Sequence, residues 1–385
     1  MSPVRVVGIG QVAVGQRWDD DLGDLANKAA KAALADAGMN TVDVVIVGNM
    51  LSGILCAQEN LGAYIAQRIG LKGVEALKVE SACGSGGMAL RLGTAMIQSG
   101  QCNTALVIGV EKMTDVLPDD AVRGLATAAD ADTEAVHGAT FAALNAIITR
   151  LYMDKYGYRP EDMAAFSLNA HANAVSNPYA MFRERLSLED YLASPIVASP
   201  IRVVDSPPIC DGAAAILLAA PHAAPRNDNY PVVELLASAA ATDCVGLGER
   251  KDLLSLEAAR ISSGKVFQSA GISPAEIDLF ELHDAFPVIA ALSLEACGFA
   301  GRGHGARLAM EGALSINGNI PIQTFGGLKA RGHPVGASGV YQAVEACLQL
   351  RGKAGDNQVR NARYALTQSI GGIGASVITH LFGKH

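Results

Sequence analysis

The second half of this 385-residue chain repeats the first. LADAGMNTVDVVIVGNM resembles QSAGISPAEIDLFELHDAF, each reading as a helix end, a turn and a strand. The loop and helix around Cys83 resemble GGLKARGHPVGASGVYQAVEACLQLRG, and TALVIGVEKM resembles RYALTQSIGGIGASVITHLF. Units this long point to duplicated halves, since a solenoid has shorter and more numerous ones. Duplicated halves place equivalent loops at the same end of their sheets, and ligand sites in open α/β sheets favour the carboxyl ends of strands.

Within the first half, strands alternate with helices. VRVVGIG reads as a buried strand. The segment after it spaces Leu22, Leu25, Ala29, Ala33 and Leu34 at helical intervals and ends at Gly38. VDVVIVGNM, ALKVES and TALVIGVEKM read as further strands, separated by the helical stretches ENLGAYIAQRIG and GSGGMALRLGTAMIQSG. This rhythm predicts an α/β fold with a mostly parallel sheet. From about residue 117 to 200 it breaks, and helical segments such as TFAALNAIITRLYMDKYG predict an inserted, mainly helical excursion. PICDGAAAILLAA returns to a strand. The polar, Pro-containing PHAAPRNDN (221–229) is the linker candidate. The chain therefore divides into an N-terminal half, 1–225, which includes the excursion, and a C-terminal half, 226–385. At this length one core ordinarily gives way to two.

Composition restricts the partners. The net charge is −8 and no long run of Lys or Arg is present, so nucleic acid is excluded as a partner. The seven cysteines are scattered, odd in number and free of any C-x-x-C, which argues against disulfides or a metal site and for a reducing, cytoplasmic location. No signal peptide is visible, and no apolar run reaches the ~18 residues that span a bilayer.

Four segments can carry chemistry. Cys83, in Glu80-Ser81-Ala82-Cys83-Gly84-Ser85-Gly86, follows a strand and precedes a helix. Backbone N–H groups and the helix dipole there favour a thiolate. The bland alternative is a small core cysteine. His333, in Gly332-His333-Pro334-Val335-Gly336, is held by a proline before a Gly-rich helix start, which suits a general base, although a turn histidine would look the same. His283-Asp284-Ala285-Phe286 ends a strand, and Ser369-Ile370-Gly371-Gly372 forms a glycine loop after another. Gly8-Ile9-Gly10-Gln11-Val12-Ala13 matches part of a dinucleotide fingerprint, but no helix follows directly and the second strand lacks the required acid.

Taken together and in this order, the four segments resemble the thiolase superfamily. Cys210-Asp211-Gly212-Ala213-Ala214-Ala215, Tyr152-Met153, Tyr156-Gly157 and Asn177-Pro178-Tyr179-Ala180 extend the resemblance over nearly the whole chain. Gly326-Gly327-Leu328-Lys329-Ala330-Arg331-Gly332-His333-Pro334, with His-Asp at 283–284, looks most like archaeal and related bacterial thiolases and the sterol-carrier-protein thiolases. The resemblance implies an α/β thiolase fold of five αβαβα layers, with two duplicated halves and a loop domain over the site. It implies acyl transfer through Cys83, with formation or thiolysis of a 3-oxoacyl-CoA such as acetoacetyl-CoA. His333 would activate Cys83 and His283 would complete an oxyanion hole with it. The N–H groups of Cys83 and Gly371 would form a second hole. Lys329 and Arg331 are candidates for the phosphates of coenzyme A, which enters as a thioester substrate and not as a tightly bound cofactor. Dimers or tetramers are implied, and relatives of this type can work with a small zinc-ribbon OB-fold protein.

The sequence departs from the family at its second catalytic cysteine. Many thiolases place it at the position of Ser369, and the sterol-carrier-protein thiolases can place it at that of Ala285. Here neither residue is a cysteine, and a serine hydroxyl is a far poorer base than a thiol. Two other readings follow: a thiolase-fold carbon–carbon lyase, such as an aldolase, and a noncatalytic acyl-CoA- or lipid-binding partner. Retention of Cys83 speaks against the first. Retention of Cys83, His283 and His333 together speaks against the second.

Overall fold

A computed structural model describes residues 3–225 and 229–384, so part of the linker candidate, 226–228, lies outside the described residues. The elements in chain order are β1 (Val4–Gln11), α1 (Leu22–Ala37), β2 (Val44–Gly48), α2 (Ser52–Leu55), α3 (Leu61–Ile69), β3 (Glu75–Val79), α4 (Ser85–Gln98) and β4 (Thr104–Glu111). The inserted region supplies α5 (Pro118–Ala126), α6 (Phe141–Tyr156), α7 (Pro160–Ala174), α8 (Leu188–Ala193), and the short strands β5 (Ile196–Ala198) and β6 (Ile201–Arg202). After these come β7 (Gly212–Ala219), β8 (Val233–Thr242), α9 (Glu257–Ala270), β9 (Leu279–Glu281), α10 (Pro287–Ala296), α11 (Gly305–Met310), α12 (Ser338–Leu350), β10 (Tyr364–Gly371) and β11 (Ser376–Lys384).

Local chemistry sets the boundaries. Asp21 caps α1 by accepting from the Asp24 N–H at 2.7 Å, and Gly38 ends it with φ of +64°, a value that suits a residue without Cβ. β2, β4 and β7 are buried at every position, which is why they read as unbroken apolar runs instead of alternating ones. Among the described residues no helix is long and apolar enough to cross a membrane.

The duplication reappears as topology. The nine-stranded sheet runs β3-β2-β4-β7-β1-β8-β11-β10-β9, and only the β2–β3, β2–β4 and β9–β10 pairings are parallel, so the sheet is mixed and not mostly parallel as the strand–helix rhythm predicts. Outward from the centre, β1, β7, β4 and β2 are matched by β8, β11, β10 and β9, and Ile322 bridges to Phe280 where β3 stands in the first half. The halves are joined edge to edge by β1 and β8, with Val4 opposite Leu235 and Val6 opposite Val233. The two sheets of the expected layering are thus one continuous sheet, bent around a central pair of helices.

Those helices are α4 and α12, each packed against strands of both halves, while α1 and α9 cover the outer faces. The layers are α, β, α, β, α, the arrangement expected from the resemblance. Glycine lets the central helices meet. A Cβ at Gly339 would lie 2.4 Å from the Gly87 nitrogen, and one at Gly86 would lie 2.7 Å from the Gly336 oxygen. This contact places the N-termini of α4 and α12 side by side, and the loops carrying Cys83 and His333 with them.

Candidate active site

Cys83 sits in a tight turn between β3 and α4. The Gly84 N–H donates to Ser81 O at 2.9 Å, the Ser85 N–H donates to Ala82 O at 3.1 Å, and the Ser81 N–H donates to Ser85 Oγ at 2.9 Å. Ala82 pays for the turn with φ of +48°, in the left-handed region that costs a residue bearing Cβ. The end of β10 abuts this turn, since a Cβ at Gly371 would come within 2.4 Å of Ser81 O.

His283 follows β9, and His333 follows a wide helical turn over residues 327–331. Gly332, with φ of +111°, sets the direction of the chain into His333. The His333 N–H donates to Cys210 Sγ at 3.2 Å, and its Nδ1 lies 2.7 Å from Ser338 Oγ at the start of α12. The two imidazoles meet edge to face, with ring centroids 5.1 Å apart at 83°. Cys83, His283, Ala285 and His333 all line one cavity of about 610 Å³. The excursion walls its other side with residues such as Thr140, Phe141, Asn145 and His171.

The electrostatics of the cavity favour neutral groups. Burial pushes the Cys83 thiol up to about 12, with the carboxylate of Glu111 acting in the same direction and a backbone hydrogen bond opposing both. Cys83 is partly exposed, but its exposed surface opens onto the cavity. The sequence expectation of a dipole-stabilised thiolate is therefore outweighed by desolvation. Burial also drives His283 down to about 3, helped by Lys329 and Arg331, and holds His333 well below its ordinary range, helped by His283 and Arg331. The resting pair is thiol and imidazole. Alkylation of Cys83 by iodoacetamide is accordingly expected to quicken by about tenfold per pH unit between pH 7 and 10. A rate already on a plateau at pH 7 would show a preformed thiolate instead.

Other candidates lie elsewhere. Ser369 is buried, donates from Oγ to Gln342 Oε1 on α12 at 3.0 Å, and does not line the cavity. Its neighbour Ile370 does line it, because alternate side chains of β10 face opposite sides. Arg331 is fully buried, with Nε 2.8 Å from Glu345 Oε1 and its guanidinium over Tyr341, so it cannot meet the phosphates of a ligand. Lys329 reaches the cavity wall, but its ammonium donates to the backbone oxygen of Asp284 and stands 3.3 Å from that residue's carboxylate. These two cations answer buried acids and not solvent. Burial pushes the Glu345 carboxyl up to about 8 and that of Glu281 to about 7, with Arg331 opposing both. Sequence reasoning missed Ser338 and Cys210, which hold His333. The available signal for Ser338 was a hydroxyl residue five places after His333 at a helix start.

Comparison with known proteins agrees with this architecture. The family described as "Thiolase, N-terminal domain" matches residues 4–222, and "Thiolase C-terminal domain-like" matches 239–384. An acetyl-CoA acetyltransferase of Methanothermobacter thermautotrophicus is 39% identical over 100% of both chains. Human sterol carrier protein 2 is 31% identical over 98% of this chain and 71% of its own length. Among solved structures, an Ltp2-ChsH2(DUF35) aldolase superposes with a TM-score of 0.85 at 20% identity, covering 99% of this chain and 98% of that one. Human mitochondrial 3-ketoacyl-CoA thiolase in complex with CoA superposes at 0.74 and 20% identity, covering 100% and 98%. With both of its halves matched and full-length relatives at this identity, the chain belongs to the thiolase family.

Proposed function

We propose that the protein is an acyl-CoA C-acyltransferase that forms or thiolyses a 3-oxoacyl-CoA through an acyl group carried on Cys83. The observation behind this reading is that Cys83 from one half and His283 and His333 from the other face a single cavity. His333 takes the thiol proton at Nε2. For that, its Nδ1–H donates to Ser338 Oγ, whose own hydrogen points to Pro334 O at 3.3 Å. The Cys83 sulfur then bonds to the acyl carbon. The charge that develops on oxygen meets the neutral N–H of His283, or the N–H groups of Cys83 and Gly371 at the other step. His283 suits donation, because burial beside Lys329 and Arg331 keeps its imidazole neutral with one N–H to give. Among the described residues its Nδ1 has no hydrogen-bond partner.

His283→Ala is expected to depress turnover by ~10²–10³-fold, the loss that follows removal of one oxyanion donor. Turnover within threefold of the parent would remove His283 from this role. The reading as a whole is tested by incubation with acetyl-CoA and peptide mass spectrometry, which should find the acetyl group on Cys83.

A thiolase-fold carbon–carbon lyase is the second reading. It is favoured by one observation: Ala285, not a second thiol, lines the cavity that Cys83 also lines. A lyase would cleave its substrate without acylating Cys83. The finer assignments belong to the same proposal. The halves divide at 225/226, with the loop domain at about 117–200. The protein works in the cytoplasm as a homodimer or homotetramer, with no tightly bound cofactor. A small zinc-ribbon OB-fold protein is its candidate partner.

A further inference from the structure

We propose that the inner end of the cavity is an acyl chamber built for an apolar chain or ring of about six carbons or more, on the carbonyl side that becomes attached to Cys83. This inference rests on the thiolase reading above and names its substrate class. An acetyl group needs on the order of 60–90 Å³ if each water-sized group takes about 30 Å³. The cavity holds about 610 Å³, which the arm of coenzyme A and the acyl group must share.

The polarity of the walls says which part of a ligand goes where. The pantetheine arm carries amides and a hydroxyl, which need partners. The polar side chains of the cavity are few: beside the catalytic groups they are Thr140, Asn145, His171, Ser206 and Lys329. The inner wall is formed by Phe286 and Ile289 at the start of α10, Ile370 and Ile373 at the end of β10, and Phe141 at the start of α6. All five belong to, or pack on, one apolar cluster, and the first four are almost wholly buried. Their side chains offer no hydrogen-bond partner to the amides of the arm. The mouth differs. Val122, Phe182, Val197 and Val203 line it while remaining 39–53% exposed. The arm enters past the mouth and the apolar acyl group fills the inner end. Ala285 stands between His283 and Phe286 in sequence and lines the same cavity with a small side chain.

In thiolysis the Cys83 sulfur bonds to the C3 carbonyl carbon and its proton passes to His333. The C2–C3 bond then breaks, and its electron pair stays on C2, which takes up a proton to leave acetyl-CoA. The chamber holds the R group of the resulting R–CO–S–Cys83 until the thiol of coenzyme A displaces it. Each methylene buried contributes a factor of about four.

The experiment compares thiolysis of acetoacetyl-CoA, 3-oxodecanoyl-CoA and 3-oxo-3-phenylpropanoyl-CoA by the full chain, with mass spectrometry of Cys83 alongside. The expected kcat/KM for at least one bulky substrate is tenfold or more above that for acetoacetyl-CoA. In Ile289→Phe, which fills the chamber, that ratio should fall at least tenfold; Ala285→Val serves if Ile289→Phe does not fold. An acylated Cys83 with acetoacetyl-CoA handled as well as or better than both bulky substrates would overturn the chamber while leaving the thiolase reading intact. So would a ratio unmoved by the filling variant. Absence of acyl-Cys83 from every substrate would overturn the thiolase reading itself, and the chamber with it.

Discussion

Cys83→Ala is expected to lower acyl transfer and 3-oxoacyl-CoA thiolysis by at least ~10⁴-fold, the scale seen when a covalent nucleophile is removed. The methyl group of alanine can form no bond to the acyl carbon, and among the described residues no second thiol lines the cavity to replace it. Cys102, Cys210, Cys297 and Cys347 are buried, and Cys56 and Cys244 are partly exposed but outside the cavity. Acetyl-CoA should therefore label one peptide in the parent protein and none in the variant. Fold loss can be separated from chemical loss by circular dichroism, since Cys83 lies in a turn whose hydrogen bonds use backbone and Ser85, not the thiol. Label on Cys56 or Cys244, or turnover within tenfold of the parent, would remove Cys83 from the reaction.

The second large effect is a gain. Ala285→Cys is expected to raise condensation or thiolysis by ~10²-fold, the lower range for a well-placed acid–base group, whereas Ser369→Cys should give no increase. The two positions are equivalent candidates by sequence, because related enzymes place their second cysteine at one or the other. They are not equivalent in space. Ala285 lines the same cavity as Cys83, His283 and His333, so a thiol there would face the space in which the substrate must gain or lose a proton. A thiol at 369 would point at Gln342 inside the central helix layer. A thiol also ionises near pH 8.5, within reach of neutral conditions, as a serine hydroxyl does not. An increase in Ser369→Cys without one in Ala285→Cys would refute this assignment.

That contrast marks what could be read in the residues and what could not. The order of strands and helices, the duplication and the trio Cys83, His283 and His333 were legible, since each rests on local pattern: apolar runs, capping residues, glycines next to a reactive side chain. Ser369 was not, because the face a strand residue points to depends on register, and a shift of one place reverses it. Lys329 and Arg331 read as candidates for the phosphates of coenzyme A, a role that needs them to face solvent, as such residues ordinarily do. Their burial follows from Asp284 and Glu345, partners distant in sequence by 45 residues for Lys329–Asp284 and visible only in three dimensions. The fusion of two sheets into one was hidden for the same reason: it depends on β1 meeting β8, elements of different halves.

The central position of α12 has a consequence for motion. Nearly every residue of this helix is buried, and it rests on strands of both halves and on α4. Its amide protons are therefore expected to be among the last to exchange, since solvent reaches them only when both halves open. The outer loops, by contrast, can fluctuate without disturbing it. His333 and Ser338 are therefore anchored at the start of the most enclosed helix, and the cavity walls contributed by the inserted region can move around a fixed imidazole.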